Sequence, residues 1–153
     1  MRRVKDGRLS GKRIALLIVT GLMLAFIFGQ SAFPKTVSAE ESGLLAENVL
    51  NPLFELLGFR PLSQNAVRKI AHVTEFTILS ILLTLCFRGQ IVKSAGAGFA
   101  AAFLDESIQL LSERGALITD VWIDLIGVAI GSVLGLLIVC LRLRSSKRRQ
   151  KRA

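Results

Sequence analysis

The residues able to do chemistry crowd into one stretch. From Asp105 to Asp124 the chain reads DESIQLLSERGALITDVWID, which holds five of its eleven acidic residues. They lie across the end of one apolar run and the start of the next. Ionisable groups inside membrane-length segments are expensive and usually mark function. A second group comes earlier: Arg68, Lys69, His72 and Glu75. Arg68, His72 and Glu75 recur at four and three residues, so one helix face carries them. Asp120, Asp124, Gly127, Gly131 and Gly135 recur in the same way. Asp105 and Gln109 are four apart, with Glu106 beside them. The acids Glu75, Asp105, Glu106, Glu113, Asp120 and Asp124 outnumber the bases Arg68, Lys69 and Arg114, with His72 titratable. Such an excess is met by protonation, by a bound divalent cation or by a basic group on a ligand. It can also close on itself as a salt-bridge network that fixes helix register.

Catalysis is signalled weakly. His72 is the sole histidine, and one histidine among carboxylates is not the usual zinc pattern. Ser107 and Ser112 lie near acids without an evident base, and no glycine-rich phosphate loop is present. No catalytic residue or metal ligand is assigned. A divalent cation is the one cofactor the acids would admit, and the residues lean away from an enzyme.

Helices must position these groups. The chain has 153 residues, one domain's worth, and 52% are hydrophobic, too many for an ordinary soluble domain. The net charge of +9 suggests nucleic acid until it is mapped. Most of it lies in residues 2–13 and 142–152, and no aromatic reading surface accompanies it, so nucleic-acid binding is set aside. Cys86 and Cys140 lie far apart in apolar runs and make no disulfide framework.

The expected fold is all-α: a polytopic membrane protein with four transmembrane helices in a compact bundle. An amphipathic interfacial helix lies between the first and second spans. A basic tail, 1–13, precedes the first span, 14–33, which Pro34 stops. The same segment has the layout of a signal peptide with Val37-Ser38-Ala39 as its cleavage site, but its length favours a retained helix. An extracytoplasmic loop, 34–65, follows. In it Glu47, Asn48, Asn51 and Glu55 share one arc, opposite Leu45, Val49, Leu50, Leu53, Leu56 and Leu57. Pro52 would split this helix, with Asn51 capping the second half. Residues 66–141 form the core, with Ser63 as the cap of the second span, Arg88-Gly89-Gln90 as a tight connection and 142–153 as a second basic tail. Small residues from Ser94 to Ala102, and Gly127, Gly131 and Gly135, suit close helix packing.

With both termini inside, fifteen basic residues face the cytoplasm and five face out. The positive-inside rule therefore predicts a multi-pass plasma-membrane protein with both termini cytoplasmic. The polar residues of three helices then share one depth, near the outer face.

The motifs RKIAHVTEF (68–76), DESIQ (105–109) and RGALITDVWIDLIGVAIG (114–131) resemble the VanZ-like family of small integral membrane proteins. The family's marked positions fall on Lys69, His72, Glu75, Asp105, Glu106, Gln109, Arg114, Asp120, Asp124, Gly127 and Gly131. Asp124 stands where the family often has Asn, and Glu113 where it often has Pro or Gly. The resemblance implies a cell-envelope protein, and its namesake is associated with low-level resistance to teicoplanin-type glycopeptides. The expected partners are the bilayer and, at the outward polar site, a lipid headgroup, a lipid-linked cell-wall precursor or a lipophilic glycopeptide. The alternative is a membrane-embedded enzyme acting on a phospholipid or polyprenyl-linked substrate.

Overall fold

The computed structural model describes residues 10–33, 43–112 and 118–150, apart from the side chains at 118, 119, 147 and 149. The α-helices are α1 (Gly11–Ser31), α2 (Asn51–Leu56), α3 (Gln64–Cys86), α4 (Ile91–Leu111) and α5 (Ile118–Gln150). No strand occurs among the described residues.

Three helices are long and apolar enough to cross a membrane: α1, α3 and residues 120–146 of α5. The expected four spans are corrected to three. α4 has 21 residues but lacks the apolarity, because Lys93, Asp105, Glu106 and Gln109 interrupt it. Its inner face explains how it holds them. Ser94, Gly98, Ala101, Ala102, Asp105, Glu106 and Gln109 are buried against the neighbouring helices. Phe99, Phe103, Leu104 and Leu110 point outward and are exposed. Small and polar residues face in while large apolar ones face out, the pattern of a helix whose surroundings are as apolar as its core.

The core is Ile27, Phe76, Leu79, Leu83, Ala101, Ala102 and Val128. α3 and α5 approach most closely along the glycine ladder. A Cβ added at Gly127 would lie 2.6 Å from the Val73 carbonyl oxygen, and one at Gly135 would lie 2.7 Å from Thr84 Cβ. One at Gly131 would overlap the Thr77 carbonyl oxygen. The approach lets hydroxyls cross the seam. Ser80 Oγ donates to the Val128 carbonyl at 2.9 Å and lies 2.8 Å from Ser132 Oγ. The ladder therefore packs within this chain.

Helix ends follow local chemistry. Ser63 is extended (φ −72°, ψ 153°) and its Oγ accepts from Ala66 N at 3.2 Å, capping α3. α3 ends with Arg88 N bonded to Leu85 O and Gly89 N to Thr84 O, a Schellman closure. It forces positive φ on Arg88 (54°), and Gly89 after it is also left-handed (81°).

The amphipathic segment is helical but differs from expectation at its middle. A π-helical turn, Ala46–Leu50, runs directly into α2. Pro52 lacks an N–H, and its ring crowds the carbonyl four residues back; a widened turn just before it relieves that crowding. Asn51 is not a cap. Its backbone is helical, and its side chain accepts from Leu62 N at 2.7 Å instead. Leu53, Leu56 and Leu57 remain exposed.

Candidate functional site

Four helix ends meet at one end of the bundle. α1 and α4 arrive there at Ser31 and at Asp105 to Ser112, while α3 and α5 set out from it at Arg68 to Glu75 and at Asp120 to Asp124. Alternating helix direction causes the convergence, and Thr20 meeting Cys86 at the opposite end completes the antiparallel pairing of α1 and α3.

Asp105 is the hub, with no exposed surface. Ser31 Oγ donates to its Oδ1 at 2.5 Å, and Gln109 Nε2 donates to its Oδ2 at 2.8 Å. The other end of the Gln109 amide accepts from Arg68 Nη2 at 2.9 Å, so the amide is fixed from both sides. His72 Nδ1 lies 3.9 Å from Asp105 Oδ2 and 3.1 Å from Asp124 Oδ1. Ser112 Oγ donates to the Ser31 carbonyl at 3.0 Å, which binds the end of α1 to the end of α4. One connected network thus runs through all four helices.

Two carboxylates stand partly outside it. Asp124 is fully buried, yet its Oδ2 has no hydrogen-bond partner among the described residues. Glu106 is 7% exposed, and neither of its carboxylate oxygens has one. Groups this deep normally find partners. No Lys or Arg among the described residues is ion-paired with Asp105, Glu106 or Asp124; the ionic contacts to the two aspartates come from His72. Arg68 spends its hydrogen bond on a neutral amide.

The structure brings His72, Asp105, Glu106, Gln109 and Asp124 together. Asp120 and Glu75 are half-buried; Asp120 lies within electrostatic reach of Glu106, and Glu75 of His72. Lys69 is exposed and outside the network, because it is about 100° around the helix from Arg68. Arg114, together with Glu113, the Val37-Ser38-Ala39 stretch and residues 1–9, lies outside the described residues. Gly127, Gly131 and Gly135 are at the α3–α5 seam rather than at the site. Ser31 was not foreseen. The available signal was its position, a hydroxyl ending an apolar run at the depth of the acids.

One ring nitrogen of His72 and a carboxylate oxygen from each of Asp105 and Asp124 all lie within 4.8 Å of one another. Chemically, the arrangement can bind a cation, or share a proton between His72 and Asp124.

A sequence profile described as VanZ/LLP1 matches residues 14–139, most of the chain. The chain is also 40% identical over 64 residues to the "Uncharacterized membrane protein YwnJ" of Bacillus subtilis (strain 168). That match covers 42% of this chain and 45% of the relative, so the chain spans less than half the length of the protein it resembles. No solved structure matches.

Proposed function

We propose that this chain, which belongs to the VanZ/LLP1 family, is a multi-pass envelope protein that holds a polar headgroup at the converged end of its helices. The chemistry that fits best is a cationic group on a lipid headgroup or a lipid-linked cell-wall precursor, with a lipophilic, teicoplanin-type glycopeptide as a further ligand of the same kind. One observation carries this reading: the buried carboxylate of Glu106 has no hydrogen-bond partner among the described residues, at the end of the bundle where Asp120 is half-buried. A carboxylate so placed gains most from a ligand that supplies the missing donor.

Charge orients the site. The helices alternate in direction, so fixing one fixes all. α4 is less apolar than the three candidate spans but runs back through the bundle between α3 and α5, so the helices pass an even number of times. Basic tails that favour cytoplasmic termini would then turn the converged end to the outer face, where headgroups and cell-wall precursors lie.

The test is expression of the wild type, Glu106→Ala and Asp120→Ala in a susceptible Gram-positive host. Resistance to lipoglycopeptides is scored, and co-purifying lipids are identified by native mass spectrometry. Protection and retained lipid that fall in both variants support the reading. Wild-type behaviour in both variants, or neither protection nor bound lipid with the wild type, sinks it.

A second reading, a membrane-embedded enzyme on a phospholipid or polyprenyl-linked substrate, is favoured by the close set of His72, Asp105 and Asp124. Purified protein that leaves labelled envelope lipids unchanged with and without Mg²⁺ would exclude it.

A further inference from the structure

We infer that His72, Asp105 and Asp124 form a binding site for a divalent transition-metal cation, with Glu106 as the adjoining carboxylate that offsets its charge. It shares Glu106 with the headgroup reading but rests on the His72, Asp105 and Asp124 set.

Spacing is the first argument. Metal–ligand bonds of about 2.0–2.2 Å place neighbouring ligand atoms roughly 3.0–3.5 Å apart in octahedral or tetrahedral sites. His72 Nδ1 is 3.1 Å from Asp124 Oδ1 and 3.9 Å from Asp105 Oδ2, and a set of ligand atoms from the three residues falls within 4.8 Å. The His72–Asp105 gap of 3.9 Å closes with about 0.4 Å of movement, and a pair as wide as 4.8 Å with about 1.3 Å, which rotation of the two carboxylates supplies.

The second argument is independent of spacing. Asp124 Oδ2 and both oxygens of Glu106 are buried without a hydrogen-bond partner among the described residues. A lone histidine balances at most one of the three buried carboxylates, and the Arg68 guanidinium is bound to Gln109. A dication supplies the positive charge that the described side chains do not.

Third, Asp105 is held as metal ligands usually are. Ser31 and Gln109 each donate to it, and outer hydrogen bonds of this kind orient ligands and sustain affinity. Gln109 is in turn fixed by Arg68.

The donor set selects the ion. One imidazole with carboxylates suits Mn²⁺, Fe²⁺ or Zn²⁺ better than Mg²⁺ or Ca²⁺, which prefer oxygen throughout. Asp120, four residues nearer the start of α5 than Asp124 and half-buried, lies on the side from which an ion would enter.

The test uses the full chain in phosphatidylcholine nanodiscs, stripped with chelator and dialysed. No anionic lipid or cell-wall precursor is present, so the outcome is separate from headgroup binding. Mn²⁺ is titrated by electron paramagnetic resonance, and Zn²⁺ and Mg²⁺ are added as competitors. The expected result is saturation near one ion per chain, displacement by Zn²⁺ and not by equimolar Mg²⁺, and a nitrogen coupling on bound Mn²⁺. His72→Gln removes the coupling, and His72→Gln and Asp124→Asn each weaken binding at least about tenfold. Ser132→Ala, a change at the buried seam away from these ligands, leaves affinity unchanged. Failure of the wild type to retain Mn²⁺ or Zn²⁺, or wild-type affinity in His72→Gln and Asp124→Asn, overturns the assignment. Should the variants not fold, the wild type decides alone: bound Mn²⁺ without nitrogen coupling overturns it.

Discussion

Gly131→Ala tests whether the α3–α5 seam rests on backbone proximity. The new Cβ would lie 2.8 Å from Ser80 Cβ and overlap the Thr77 carbonyl oxygen. Carbon atoms in good contact stand about 3.5–4.0 Å apart, and a helix carbonyl cannot swing aside as a side chain can. The helices must therefore part by about 1 Å at this level. That takes Ser80 Oγ and Ser132 Oγ from 2.8 Å beyond hydrogen-bonding range, and it stretches the Thr77 Oγ1 bond to the Gly127 carbonyl, already 3.3 Å. Overpacking costs about 1–3 kcal/mol, and each interhelical hydrogen bond lost in a membrane adds about 0.6 kcal/mol. The sum is about 3 kcal/mol, roughly a hundredfold in the folding equilibrium. The assay is reversible unfolding in mixed micelles by titration with SDS. Gly96→Ala is the control: nothing lies within 4 Å of its would-be Cβ, so it gains up to about 1 kcal/mol of helix propensity. A Gly131→Ala midpoint equal to wild type would refute the packing argument. A matching loss in Gly96→Ala would show that helix flexibility, and not contact, is what the glycines supply.

The same titration reads three further changes. Ser31→Ala removes a donor from fully buried Asp105 and should cost about 1–3 kcal/mol; an unchanged midpoint would mean that α1 is not tied to the network. Glu106→Gln keeps the shape and removes a buried carboxylate with no hydrogen-bond partner among the described residues, so the metal-free protein should gain about 1 kcal/mol while Mn²⁺ affinity falls; a destabilised, metal-free Glu106→Gln would show that the carboxylate already has a partner. Arg88→Gly relieves a non-glycine residue at φ 54° and should stabilise by about 1 kcal/mol; a loss would assign Arg88 a contact worth more than the strain.

The faces of the helices were legible in the sequence, because period alone places Arg68 with His72 and Asp120 with Asp124. The shared depth of the acids followed from counting antiparallel segments. Depth within the layer was not legible. Asp105 and Asp124 are fully buried while Asp120 is half-buried, and only the packing angle of each helix decides that. Ser31 reaches Asp105 across 74 positions, a pairing that no local spacing encodes. α4 was misjudged for a related reason. Its small residues count as apolar, yet they serve to bring backbones close, and the helix keeps its polar residues by burying them against three neighbours. At Pro52 the sequence announced a break, but a widened turn absorbed it.

The bland account of the acids, a charge network that sets helix register, meets a difficulty in the rest of the bundle. Register between α3 and α5 is already fixed by the glycines at 127, 131 and 135 and by the Ser80–Ser132 contact. A slip of one residue would drive side chains into the opposing backbone. Between α3 and α4 the neutral Gln109 meets Arg68. Two carboxylates whose oxygens lack partners among the described residues add nothing to that specification and cost free energy in a desolvated layer. They can be dispensed with as fasteners. Their place at the end of the bundle where four helices converge fits the proposed cationic ligand better than it fits a fastening role.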